Sequence, residues 1–516
     1  MKTKQLLLIL FIITSHTAIS DDALEILGER IFNDDRFSEF FFKQSKGDVN
    51  HTLSKGSLEL QQIIVNRTVH DSPFSDQAMS CSSCHMVDQA FDTSFGGMRG
   101  YNDFAPITPI PIREDGRWFT VRNTPTLVGI GSKYAQNRIS HHDGEFFDHS
   151  STVLGNFLGR NMGWLDNEKS VARKNIINVI TNDDGTSQLA KEFGGSYQKI
   201  LLGVDPSITE EFRLSEENRI DVYNSSEDEI INIVVKAVTA YMNGLDFEKT
   251  ENGDYSDSPY DKFLIANNIA NGAKVDPNGI VDIVKYSREL ISSIKNLKSP
   301  KFISSKYYPT HRKEFKFGAD EFEGLKIFLN ISKRGMCINC HLAPLFTDQI
   351  FHNIGTTQIE YDNIHGKGTF ANLEFPNLSE RKSQYYLKRP SLDNPKKVDL
   401  GVWNFFGRND KKQLTNYIKD TYCGNIQNCN ESFLLPHMTA RFKTPTLRNL
   451  NHSAPYLHNG SHENLDGVIE DYINASKLIK NGELVNGAPQ LRRMNITSND
   501  TKFLRAFLNS LNSVYE

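Results

Sequence analysis

Cys81-Ser-Ser-Cys84-His85 and Cys337-Ile-Asn-Cys340-His341 are the two stretches that decide how this sequence is read. Cys-x-x-Cys-His is the attachment motif of c-type haem. The two thiols add to the porphyrin's vinyl groups, and the adjacent histidine is placed to ligate the iron. A single copy would also suit a redox pair or half of a zinc site. Here the motif occurs twice, and each copy is followed by the same two elements. Thr124-Pro-Thr-Leu127 and His142-Asp-Gly144 follow the first; Thr444-Pro-Thr-Leu447 and His458-Asn-Gly460 follow the second. The same order with different spacers marks an internal repeat. Two covalently bound haem c groups are therefore expected. Cys81, Cys84, Cys337 and Cys340 would be the attachment points, and His85 and His341 the proximal ligands.

The rest of the composition fits a folded, water-facing chain. At 516 residues there is material for about three domains. The 58 Lys and Arg against 63 Asp and Glu leave a net charge of −5, without the basic excess of a nucleic-acid or anionic-membrane binder. With 33 Phe and 18 Tyr the chain has too much apolar surface to stay disordered. Residues 1–20 read as a signal peptide: Lys2 and Lys4, an apolar run from Leu6 to Ile13, then small Ala18 and Ser20 before Asp21. That run is far short of the roughly 20 residues that span a bilayer. Cleavage near Ser20 would export the protein to the periplasm, where bacteria attach c-type haem.

Periodicity points to a mainly α protein. Ile230, Ile231, Ile233, Val234, Ala237, Val238 and Tyr241 recur at helical spacing within Asp228 to Asn243. Ile283 to Ile294 and Asp500 to Leu511 are amphipathic, the latter with Phe503, Leu504, Phe507 and Leu508 on one side. Glu210 to Asn218 is polar enough to be a solvated surface. The expected organisation is an N-terminal haem domain over 21–270, an inserted polar segment over 271–318 and a C-terminal haem domain over 319–516. Cys423 and Cys429 fall in an extra stretch, Gln358 to Arg441. A disulfide between them is expected ahead of a metal site, because neither has a closely spaced Cys or His cluster.

Taken together, the motifs resemble those of the bacterial di-haem cytochrome c peroxidases, the family that includes MauG. The matching stretches are Leu27-Gly-Glu-Arg-Ile-Phe32, both haem motifs, Val121-Arg-Asn-Thr-Pro-Thr-Leu127, Ser258-Pro-Tyr-Asp-Lys262, Phe351-His-Asn-Ile-Gly355, and Phe442-Lys-Thr-Pro-Thr-Leu-Arg-Asn449 through Gly460. The resemblance implies two cytochrome c-like domains, a peroxidatic haem in the first and an electron relay in the second. It places Tyr472 at the second axial position of the His341 haem, where the peroxidases carry Met and MauG-like members carry Tyr. Met438 is the alternative. Twelve residues after Gly144, as Tyr472 is after Gly460, stands Asn156, a poor iron ligand. No His occurs from Phe91 to Asp103, where the peroxidases hold a displaceable ligand. The first haem is therefore expected to be open.

Three family features are altered. His142 stands in place of the Trp between the haems, Asn161 in place of the distal acid before Met162-Gly163, and Thr152 near the position of a Gln. His142, His141 or His149, helped by Arg160, could move the proton that peroxide cleavage requires. The resemblance also implies a calcium ion between the domains, on the Asn123 side chain and the Ser453 and Pro455 carbonyls. The expected activity is reduction of hydrogen peroxide. Its electrons would come from a small cytochrome c, a cupredoxin or an oxidisable protein residue, and a homodimer is compatible with it. The rival reading is a di-haem electron carrier or redox sensor without turnover.

Overall fold

The structure is a computed structural model, described for residues 22–52, 62–65, 68–71, 80–86, 99–100, 110, 113–117, 120–135, 137–277, 279–308, 313–380, 386–424 and 426–514. The expected signal peptide and most of the His-free stretch 91–103 lie outside those residues. The protein is mainly helical, and the described strands form four two-stranded antiparallel pairs. No described helix is long and apolar enough to cross a membrane.

The helices that shape the site are α1 (Asp22–Asn33), α2 (His149–Phe157), α3 (Glu227–Gly244), α4 (Pro259–Ala266), α5 (Ile283–Asn296), α6 (Ala319–Phe328), α7 (Leu465–Asn481) and α8 (Thr501–Asn509). Their ends follow from local chemistry. Ser226 caps α3 by accepting from the Glu229 amide, and the Glu229 carboxylate accepts in return from the Ser226 amide at 2.8 Å. Glu227, Asp228 and Glu229 put negative charge at the positive end of the helix dipole. Ser258 and Asp261 repeat that box on α4, with Pro259 as its first residue.

Two helix crossings make the repeat visible. α1 packs on α3, and α6 packs on α8. At each crossing a glycine lets the backbones touch. A Cβ on Gly28 would lie 2.0 Å from the Ala237 carbonyl oxygen, and one on Gly324 would lie 1.9 Å from that of Phe503. Four residues after each glycine comes a phenylalanine facing the haem-motif histidine. The Phe32 and His85 rings are 6.4 Å apart at 49°, and those of Phe328 and His341 are 6.4 Å apart at 50°. The two halves thus present their histidines in the same way.

Apolar side chains gather into three main cores. Leu27, Ile31 and Phe32 of α1 meet Val234, Val238 and Tyr241 of α3 in the first. The second, around α6, α7 and α8, also takes in Tyr260, Phe263 and Leu264 of α4 and Tyr286, Leu290 and Ile294 of α5. The segment 271–318 is therefore more than a polar insertion: one face of α5 and Phe317 are buried with the C-terminal half. The third core, around Trp403 and Phe406, is built by the extra stretch 358–441. At its edge Cys423 and Cys429 form the expected disulfide.

Candidate functional site

Both haem motifs open into one continuous cavity of about 1270 Å³. A pocket for a single small ligand is typically about 300–1,000 Å³, so this one exceeds the needs of one such group. Each motif forms a short 3₁₀ turn, Cys81–Ser83 and Cys337–Asn339, in which the amide of the second cysteine donates to the carbonyl of the first. None of these four cysteines is in a disulfide. Burial pushes Cys81 up to about 12 and Cys337 up to about 11, so both are neutral thiols at neutral pH.

The histidines are held by main-chain carbonyls. His341 Nδ1 donates to the Phe346 carbonyl at 2.9 Å, which makes Nε2 the nitrogen able to ligate a metal. His85 hydrogen-bonds the carbonyl of Pro125, from the first Thr-Pro-Thr repeat, and burial lowers it to about 4. Such anchoring is what orients a metal-ligating imidazole. Cysteines outside any disulfide, an anchored histidine and an adjoining cavity in each half fit covalent haem c.

The two residues that the repeat matches, Tyr472 and Asn156, both line the cavity. Tyr472 lies on α7 and lines the cavity. Burial raises its phenol well above the ordinary value, and Cys340 and Cys337 are close enough to add to the shift. Met438 is fully buried in the third core and is not among the cavity residues, so it is misplaced as a ligand. Met494, which sequence reading missed, does line the cavity. In the first half Asn156 lies on α2 and lines the cavity, with its Oδ1 accepting from Asn161 Nδ2 at 2.6 Å.

The groups expected to move protons do not form one cluster. Arg160 is paired with Asp115 at 2.9 Å and donates to the Arg117 carbonyl. His142 sits between the halves, its Nε2 3.0 Å from the Asn123 carbonyl and its ring 6.5 Å from that of His458. His149 bonds Asn243 at 2.8 Å. Glu145, which sequence reading also passed over, lines the same cavity and accepts from His141 Nδ1 at 2.9 Å. Burial would raise its carboxyl, but the bond to His141 holds it below the usual range. Its signal was the turn itself: Asp143-Gly144 brings Glu145 back over His141.

Between the halves Arg122 bridges two buried carboxylates, Asp143 and Asp399, the latter from the extra stretch. Beside it, Asn123 Nδ2 donates to the Pro455 carbonyl at 2.6 Å and the Leu457 carbonyl at 3.1 Å, while its Oδ1 is buried without a donor. Ser453 and Pro455 line the cavity at the same place. Neutral oxygen donors with one orphaned oxygen are a set that a hard cation such as Ca²⁺ would satisfy.

His142 and His458 give this interface a pH dependence. Burial lowers both to about 3, whereas in the unfolded chain each protonates near 6.5. The unfolded state therefore binds more protons between those values. Stability rises with pH across that window and is lost as pH falls below about 6.5, by up to about 1.4 kcal/mol per unit for each histidine. Denaturation midpoints measured from pH 7 to 4 should fall steeply, and His142→Asn with His458→Gln should flatten the slope. An equal slope in the double variant would assign the dependence to other groups.

No family model matches the chain. It is 24% identical over 187 residues to the cytochrome-c peroxidase IdrP1 of Denitromonas iodatirespirans, a stretch covering 35% of this chain and 38% of that protein. The chain thus matches well under half the length of this curated relative. Among solved structures it is similar to a MauG-like protein associated with microbial copper homeostasis (16% identity, 96% of this chain and 90% of that one, TM-score 0.45). It is also similar to the diheme peroxidase BthA from Burkholderia thailandensis (16%, 95% and 86%, TM-score 0.47). The chain resembles the di-haem peroxidase and MauG family.

Proposed function

We propose that this protein is an exported, periplasmic di-haem c-type oxidoreductase that reduces hydrogen peroxide at the His85 haem, with electrons relayed through the His341 haem. The observation that carries the reading is one cavity shared by two anchored Cys-x-x-Cys-His motifs, with Asn156 and Tyr472, the residues the repeat matches, on its wall. The haems supply the iron chemistry, and the chain's residues do the positioning. Cys81 and Cys84, and Cys337 and Cys340, fix the two groups. His85 and His341 ligate on one side, and Tyr472 closes the second iron. Asn156 and Asn161 leave the first one accessible to peroxide. Glu145, held by His141, and His142 line the cavity and are able to accept or return a proton. Asn123, Ser453 and Pro455 would hold Ca²⁺ where the halves meet.

One observation favours the rival, a di-haem electron carrier or redox sensor: Arg160 is committed to Asp115, and Asn161 to Asn156. One preparation separates the two. Intact mass should equal the mature chain plus two haems, and metal analysis without chelator should find one calcium. Stoichiometric peroxide should shift the ferric spectrum, reversibly on adding a reductant. A wholly low-spin ferric protein inert to peroxide would leave the carrier reading standing; a chain without covalent haem would remove both.

A further inference from the structure

A patch of positive charge stands on this otherwise acidic chain. Residues 295–308 and 313–316 carry six lysines and a single acidic residue, Glu314. They run from the end of α5 through β1 (Ile303–Tyr308) to β2 (Lys313–Phe317), which pair as an antiparallel hairpin. Lys295, Lys298, Lys301, Lys306, Lys313 and Lys316 are all exposed. Among them two large aromatic side chains also face solvent, Phe302 at 46% and Tyr307 at 54%. Exposed aromatics within a ring of like charge are unusual for a surface whose only task is solubility.

The inner side of this patch leads to the second haem motif. Phe302 stacks on Phe263 at 6.5 Å, and Phe263 on Phe317 at 4.1 Å. Phe317 meets Tyr260 at 6.2 Å, and Tyr260 meets Phe346 at 5.5 Å. The Phe346 carbonyl is the acceptor of His341 Nδ1. From the other edge, Ser287 of α5 accepts from the Ala343 amide at 3.1 Å, two residues beyond His341. The patch and the His341 site are thus joined through continuous packing.

We propose that the face formed by residues 295–308 and 313–316 is the docking surface for an acidic one-electron carrier protein that reduces the His341 haem. This rests on the function proposed above. The carrier's metal loses one electron and the haem iron gains it; no bond or proton is exchanged. The lysines steer an acidic partner and set its association rate, whereas Phe302 and Tyr307 supply the small apolar centre. A face this size suits the weak redox encounters that bury under about 1,200 Å². The opposite choice, a basic carrier, would be repelled here.

The test uses the two-haem protein and, as probe, an acidic plastocyanin, read by its dissociation constant and by the rate at which its reduced form returns the peroxide-oxidised protein to the ferric state. Binding should weaken with ionic strength in the wild type. Lys298→Glu with Lys301→Glu and Lys316→Glu should weaken it tenfold or more at low salt. Phe302→Ala should weaken it without changing the salt slope. Ascorbate should reduce the triple variant at the wild-type rate, which shows that its haem site is intact. Unchanged plastocyanin affinity in the triple variant, or wild-type binding indifferent to salt, overturns the docking surface. So does tighter salt-dependent binding to heparin or to phosphatidylglycerol vesicles than to plastocyanin. A wild-type protein without covalent haem, or inert to peroxide, would instead overturn the function beneath it.

Discussion

Gly324→Val is expected to abolish soluble two-haem protein. The added Cβ would meet the Phe503 carbonyl oxygen at 1.9 Å and its carbon at 2.7 Å. Overpacking a core typically costs about 1–3 kcal/mol when side chains can move aside. Here the obstacle is the backbone of α8, which can yield only by separating from α6. That would open the second core on the side where Phe328 faces His341. Against a total stability of about 5–15 kcal/mol, the loss should be decisive. Gly28→Val should do the same in the first half, through the Ala237 carbonyl at 2.0 Å. Gly318→Ala is the control, since its Cβ meets only Glu321 Oε2, at 3.3 Å. Yield, circular dichroism and covalent haem content measure the outcome. Wild-type yield and haem content in Gly324→Val would show that the α6–α8 crossing is not needed to build the site.

Replacing Tyr472 should have the largest effect on the redox chemistry. An anionic oxygen ligand stabilises ferric iron, and axial ligands set haem potentials over a range of about 0.8 V. Tyr472→Met should therefore raise the potential of the His341 haem by roughly 0.1 V or more and replace its low-spin signature with that of a His–Met pair. Tyr472→Phe, which offers no donor, should raise the potential and leave the iron able to take up external ligands. Burial keeps the phenol protonated at neutral pH unless iron displaces the proton. The wild-type signature should accordingly titrate, whereas that of the Met variant should not. An unchanged spectrum and potential in both variants would make Tyr472 a packing residue and move attention to Met494 on the same cavity wall.

The sequence by itself determined the chemistry that depends on neighbours along the chain. A haem motif needs two cysteines and a histidine within five residues, so Cys81 to His85 and Cys337 to His341 could be read directly. Helical spacing on Asp228 to Asn243 was legible for the same reason, and so was the pairing of Cys423 with Cys429, six residues apart. The repeat carried one inference further: counting from Gly144 and Gly460 brought Asn156 and Tyr472 to the cavity from positions more than 300 residues apart. Tertiary structure decided what depends on residues distant in sequence. It removed Met438, whose apolar side chain suits the third core as well as it would suit iron. It tied Arg160 to Asp115 and set Glu145 against His141, pairings that no periodicity announces. It also turned 271–318 from a polar insertion into a wall of the C-terminal core. One face of α5 is apolar and the other is not, and only packing shows which neighbour covers the first and leaves the lysines of the second in water.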